Sequence, residues 1–139
     1  MKLSYGELGG NLGFLIRMAQ IKDYESFFES FAETALSPGQ YAILEVLRCN
    51  QPVMQGQVAK ALRIKPAHMT KVIRKLESLQ WVTREVPESN RRTVMLRLTE
   101  QGATVLAAAQ ARMQERSLGT LTATEQSELK RLLKKVTGI

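Results

Sequence analysis

Apolar positions recur along this chain at two different spacings, and the changes of spacing mark out its elements. From about Tyr5 to Ala35, Leu8, Leu12, Leu15, Ile16 and Ala19, then Tyr24, Phe27, Phe28 and Phe31, return at helical intervals. That period predicts one long amphipathic helix, its first turns weakened by Gly9, Gly10 and Gly13, each costing about 1 kcal/mol relative to alanine. Ser37-Pro38-Gly39-Gln40 announces a second helix. It supplies an N-cap serine, a proline at the first helical position and a glutamine three residues after the cap. Leu36 and Tyr41 stand where a hydrophobic staple would place them; Ile43, Leu44, Val46 and Leu47 form the buried face, and Asn50-Gln51-Pro52 ends the helix.

The spacing then predicts a short helix from Gln55 to Leu62, a turn at Arg63-Ile64-Lys65, and a helix from Pro66 to about Gln80. Met69, Val72, Ile73, Leu76 and Leu79 keep within one stripe of this third helix. At about 100° per residue, Ala67, Lys71, Arg74 and Ser78 point away from the stripe, and His68, Thr70 and Lys75 lie on its flanks. The period falls to two in 81–86 and 93–98, both rich in β-branched residues, with the polar Pro87-Glu88-Ser89-Asn90-Arg91-Arg92 between them. This is a β-hairpin with a basic tip. Thr99 can cap a helix to about Leu118, with Val105, Leu106, Ala109 and Met113 inward. Gly119 breaks it, and Thr122-Ala123-Thr124-Glu125 is a capping box for a last helix carrying Leu129, Leu132, Leu133 and Val136.

Composition narrows the class. The chain has 139 residues, 44% hydrophobic and 24% charged, which suits one folded domain with a core of its own. A single cysteine forms no internal disulfide, and no Cys/His cluster has zinc spacing, so neither metal nor cofactor is expected. Cys49 follows Arg48 near a helix C-terminus, where the dipole disfavours a thiolate, and is read as a structural thiol. The start MKLSYGELGG lacks the apolar core of a signal peptide, and no apolar run approaches the roughly 20 residues that cross a bilayer. A cytoplasmic protein without a membrane partner is expected. No phosphate loop, metal motif or nucleophile elbow is present, and the single His68 has no evident partner, so no enzyme is expected.

Charge singles out the middle of the chain. Met54 to Thr99 holds ten Lys or Arg against three Glu, which accounts for the whole net charge of +7; elsewhere ten basic residues balance ten acidic ones. A confined basic stretch is the electrostatic footprint of a polyanion-binding surface. It coincides with two helices joined by a three-residue turn, the pattern of a DNA-binding helix-turn-helix. The second helix fits the major groove, with Pro66, Ala67, His68, Thr70, Lys71, Arg74 and Lys75 as its DNA-facing set. Arg74 or Lys71 can donate to guanine, and Ala67 can touch a thymine methyl. The hairpin tip Asn90, Arg91 and Arg92 stands where a wing meets the minor groove or its phosphates, and Gln55, Lys60 and Arg63 are further phosphate candidates. The competing reading is a sequence-tolerant architectural DNA-binding protein, held by phosphate contacts alone.

With these residues in view, the sequence resembles the MarR family of winged helix-turn-helix regulators. The resemblance lies in Leu36-Ser37-Pro38-Gly39-Gln40-Tyr41 with Leu44 and Leu47, in Gln57 to Leu79, in Trp81-Val82 with Arg84, in Asn90-Arg91-Arg92, and in Leu98-Thr99-Glu100-Gln101-Gly102. Two positions depart from the family pattern. Asn90 stands where an aspartate is usual and cannot hold an arginine by charge, so a less rigid wing or a different DNA contact is expected. Gln80 stands where a glycine is common, which alters that turn.

The resemblance implies a mainly α fold with a small β-hairpin, a winged helix-turn-helix domain flanked by N- and C-terminal dimerisation helices. It divides the chain into 1–35, 36–99 and 100–139 as parts of one integrated domain. It implies a homodimer, for which Leu8, Leu12, Leu15, Ile16, Leu129, Leu132, Leu133 and Val136 supply apolar surface, and a pseudo-palindromic operator in double-stranded DNA. It also implies repression responsive to a small aromatic or phenolic effector between the dimerisation helices and the DNA-binding lobe, with Phe14, Met18, Tyr24, Phe27, Phe31 and Tyr41 as lining candidates. An aromatic stripe at helical spacing is more often simply core.

Overall fold

Asn11 divides the N-terminal helical stretch in two. In the computed structural model, which describes residues 1–139, its Oδ1 accepts from the Phe14 amide at 2.9 Å. It thereby caps α1, Leu12–Ser30, while Gly6–Gly10 form a separate 3-10 turn. The single helix expected over 5–35 is therefore shorter at both ends. An asparagine cap satisfies an orphan amide that a run of glycines leaves exposed.

Two compact units follow from the contacts, Thr34–Gln114 and Met1–Glu33 with Glu115–Ile139. The central unit opens with α2, Pro38–Asn50, where the expected capping box forms reciprocally: Ser37 Oγ accepts from the Gln40 amide at 3.2 Å, and Gln40 Oε1 from the Ser37 amide at 2.9 Å. After α2 come β1 (Val53–Met54), α3 (Gln55–Ala61), α4 (Pro66–Ser78), β2 (Val82–Glu85), β3 (Met95–Leu98) and α5 (Glu100–Glu115). Most of the helix after the hairpin thus belongs to the same unit as α2, α3, α4 and the hairpin.

The hairpin is present, and it is joined by a strand that periodicity did not predict. β3 pairs antiparallel with β2, Val82 opposite Leu98, and on its other edge with β1, Val53 opposite Leu96. Two residues are too few to show an alternation, so only the pairing reveals β1. Ile43, Leu44, Leu47, Met69, Ile73, Leu76 and Leu96 are all 0% exposed and form the core. Each such side chain contributes about 1.5–3 kcal/mol. Glu45 of α2 accepts from Gln110 Nε2 of α5 at 2.6 Å and from Arg48 at 2.6 Å. The Arg48 guanidinium, more than the Gln110 amide, holds the Glu45 carboxyl below the ordinary carboxylate range. Cys49 is exposed, its Sγ 3.2 Å from the Arg48 guanidinium.

The other unit contains α1 and α6, Ala123–Thr137, whose capping box at Thr122 and Glu125 forms as expected. Phe27 and Phe31, each 2% exposed, stack with ring centroids 4.2 Å apart. The Arg116 guanidinium lies 5.2 Å from the Phe27 centroid and donates to both the carbonyl and the carboxylate of Asp23, each at 2.9 Å. No helix is long and apolar enough to cross a membrane.

Candidate nucleic-acid interface

α4 is built as a two-faced rod. Met69, Ile73 and Leu76 are fully buried, while Pro66, Ala67, His68, Lys71, Arg74 and Lys75 are exposed. The buried face settles on α3 through Val58 and Ala59, so the outer face is presented by packing rather than by charge. Pro66 occupies the first helical position and no side chain caps the preceding Lys65. The first amides of α4 thus have neither an intrahelical partner nor a side-chain cap. Lys65, a turn residue in the sequence reading, is exposed at the N-cap of α4 just before the helix-opening proline.

Thr70 is the exception on this face. It is half-buried, its hydroxyl donates to the Pro66 carbonyl at 3.1 Å and accepts from Gln55 Nε2 at 3.2 Å. Its hydroxyl thus ties the two helices together. The same bond occupies Gln55, whose remaining Oε1 is buried and unpartnered. Lys60 and Arg63 are exposed on the same motif.

Both helices of the motif end in the same way. Arg63 after α3 has φ 55° and Gln80 after α4 has φ 63°, the left-handed region. In each case two amides turn back: Arg63 to Lys60 and Ile64 to Ala59, Gln80 to Glu77 and Trp81 to Leu76, at 2.8–3.2 Å. This is a Schellman motif with a non-glycine residue where glycine is usual. Gln80 therefore adopts the backbone that glycine favours and keeps the turn, at a strain of about 1–2 kcal/mol. Gln80→Gly and Arg63→Gly are each expected to raise stability by about 1 kcal/mol in urea denaturation. Only Arg63→Gly should also weaken duplex binding; an equal loss from both would remove Arg63 from the phosphate set.

The wing tip is ordered by Asn90 itself. Its Oδ1 accepts from the Arg92 amide at 3.1 Å, and its carbonyl accepts from Thr93 at 3.1 Å. An asparagine dipole makes this Asx turn without charge, so the looser wing expected from its replacing aspartate is corrected at the level of the turn. Arg91 and Arg92 are left exposed at the tip.

The geometry agrees with what the chain resembles. The sequence profile of the MarR family matches residues 36–94. A protein of Thauera aromatica described as a transcriptional regulatory protein for the hcr operon is 30% identical over 107 residues, covering 76% of this chain but only 64% of that relative. The HTH-type transcriptional repressor NicR of Pseudomonas putida is 28% identical over 128 residues, 90% of this chain and 81% of NicR. The transcriptional repressor CouR bound to a 23-mer DNA duplex superposes with a TM-score of 0.85 at 28% identity, covering 99% of this chain and 97% of CouR. CouR bound to p-coumaroyl-CoA gives 0.86 at 26% identity, over 98% of both chains. A basic two-faced α4 and a wing tip are both present, and over residues 36–94 the chain is similar to the MarR family of winged helix-turn-helix transcriptional regulators.

Proposed function

We propose that this protein is a homodimeric, ligand-responsive repressor acting in the cytoplasm on a pseudo-palindromic operator, and a binding protein rather than an enzyme. The observation that carries the reading is α4: a fully buried apolar stripe backs an outer face of Ala67, His68, Lys71 and Arg74. Resemblance to CouR, seen on DNA, supports it.

Dimerisation is supported by uncovered apolar surface. Leu8, Leu12, Leu15, Ile16, Leu132, Leu133 and Val136 are between 38% and 68% exposed, and Leu129 is half-buried. Apolar residues in that density call for a covering partner, and a twofold mate sets two α4 helices about one DNA turn, roughly 34 Å, apart. Titration against two half-sites at varied separation should give a sharp optimum, and random DNA at the same salt should bind at least about 10³-fold more weakly. Equal affinity for random DNA would mean an architectural binder instead.

For the effector, the proposal is an aromatic acid or its coenzyme A thioester. Its support is the p-coumaroyl-CoA found on CouR. Phe27 and Phe31 are spent on each other as core, whereas Met18 and Tyr24 are exposed and Phe14 and Tyr41 half-buried. The three on α1, Phe14, Met18 and Tyr24, are the residues we assign to the effector. It must favour the form that does not fit the operator, since equal affinity for both forms switches nothing.

A further inference from the structure

Gln55 joins three elements of the central unit. Its backbone amide donates to the carbonyl of Val94, the residue before β3, at 2.8 Å. Its side chain reaches α4: Nε2 donates to the Thr70 hydroxyl at 3.2 Å, and that hydroxyl donates to the Pro66 carbonyl at 3.1 Å. No other hydrogen bond runs between α3 and α4.

The rest of that contact is apolar, and it is incomplete at this end. Val58, Ala59 and Met69 are buried, yet Gln55, Pro66 and Thr70 line a cleft of about 240 Å³ between the two helices. Apolar attraction is non-directional and only weakly resists a small roll of α4 about its own axis. A hydrogen bond, by contrast, weakens steeply off its line. Thr70 lies three residues after Ala67 and four before Arg74, so a roll at Thr70 carries the outward face with it.

The same side chain is costly for the fold. Gln55 Oε1 is buried without a hydrogen-bond partner. A buried acceptor left unpaired destabilises, and an apolar side chain of similar shape avoids that cost. Such a residue needs a reason outside stability. We propose that Gln55 is a positioning residue for operator reading: through Thr70, its amide fixes the roll of α4 at the angle that aims Ala67, Lys71 and Arg74 at base edges. The proposal rests on the operator reading above. Random duplex needs no such aim, because phosphate contacts are alike at every sequence.

Gln55→Met removes the amide at nearly constant volume, and the Thr70 hydroxyl keeps the Pro66 carbonyl as its partner. Thr70→Val removes the same bond from the other side, and Thr70→Ser keeps it. The probes are a duplex selected by the wild-type protein from a random pool and an unselected duplex of the same length, at the same salt. Gln55→Met and Thr70→Val should each bind the selected duplex about tenfold more weakly and the unselected one as the wild type does. Thr70→Ser should match the wild type on both. The double variant should lose no more than either single one, since both changes remove one bond. In urea, Gln55→Met should be at least as stable as the wild type, so that the loss is one of aim. A Gln55→Met protein that keeps wild-type discrimination overturns the proposal, as does a double variant whose losses multiply. Equal losses on both duplexes would make Gln55 a phosphate contact instead, and overturn it too. Gln55→Leu repeats the test if Gln55→Met does not fold; if neither folds, the bond serves the fold alone and the proposal falls. A wild type that prefers no sequence removes the operator reading itself, and this one with it.

Discussion

Gly102→Ala, at the glycine of this chain where an added Cβ meets the closest contact, is expected to destabilise the protein by about 3 kcal/mol. The added Cβ would meet the Trp81 carbonyl oxygen at 2.1 Å and its carbon at 2.9 Å. Both atoms are backbone, and the carbonyl is held by the Thr99 amide while the Trp81 amide is held by Leu76. Relief would require parting α5 from the start of β2. The sign makes the test sharp, because alanine for glycine within a helix ordinarily stabilises by about 0.5–1 kcal/mol. Gly39 provides the internal control: it lies in the first turn of α2 and a Cβ there meets nothing within 4 Å. Urea denaturation should move the midpoint down for Gly102→Ala and slightly up for Gly39→Ala. A Gly102→Ala protein as stable as wild type would mean that the close approach of α5 to the Trp81 carbonyl yields.

The second large effect separates reading from holding. Arg74→Ala, on the exposed face of α4, should cost about 1–3 kcal/mol on the operator and little on random duplex, since a base-edge contact exists only with the right base. Arg91→Ala, at the exposed wing tip, should weaken both duplexes alike. It should also flatten the plot of log affinity against log salt by about 0.9 per lost phosphate contact, hence about 1.8 for a dimer. Identical losses on operator and random DNA for both variants, with both salt slopes unchanged, would dissolve this division of labour.

Much of the site was legible because short-range chemistry wrote it. The Ser37 and Thr122 capping boxes, the prolines opening α2 and α4, and the stripe Met69, Ile73, Leu76 depend on residues three or four apart, and they formed where expected. The exposed set on α4 followed from the same arithmetic, as did the confinement of excess positive charge to 54–99. Thr70 escaped it: its angular position is a flank, and only the approach of Gln55 from α3 turns its hydroxyl inward.

Other features had no local signature. β1 is too short to show a period and exists because β3 offers it an edge. Arg63 and Gln80 carry no preference for positive φ, yet two returning amides and the packing beyond impose it. Gly102 stood in the sequence as one small residue near the start of a helix; its contact with Trp81, 21 positions earlier, arises only once the first turn of α5 comes against the residue before β2. From composition and periodicity alone came the helices, the hairpin and the basic outer face of α4, since helix caps, amphipathic spacing and net charge are properties of neighbouring residues; the regulator family came from resemblance. Tertiary packing decided the third strand, the left-handed turns, the inward Thr70 hydroxyl and the fit of Gly102. Those depend on which distant backbone atoms compete for the same space and the same hydrogen bonds.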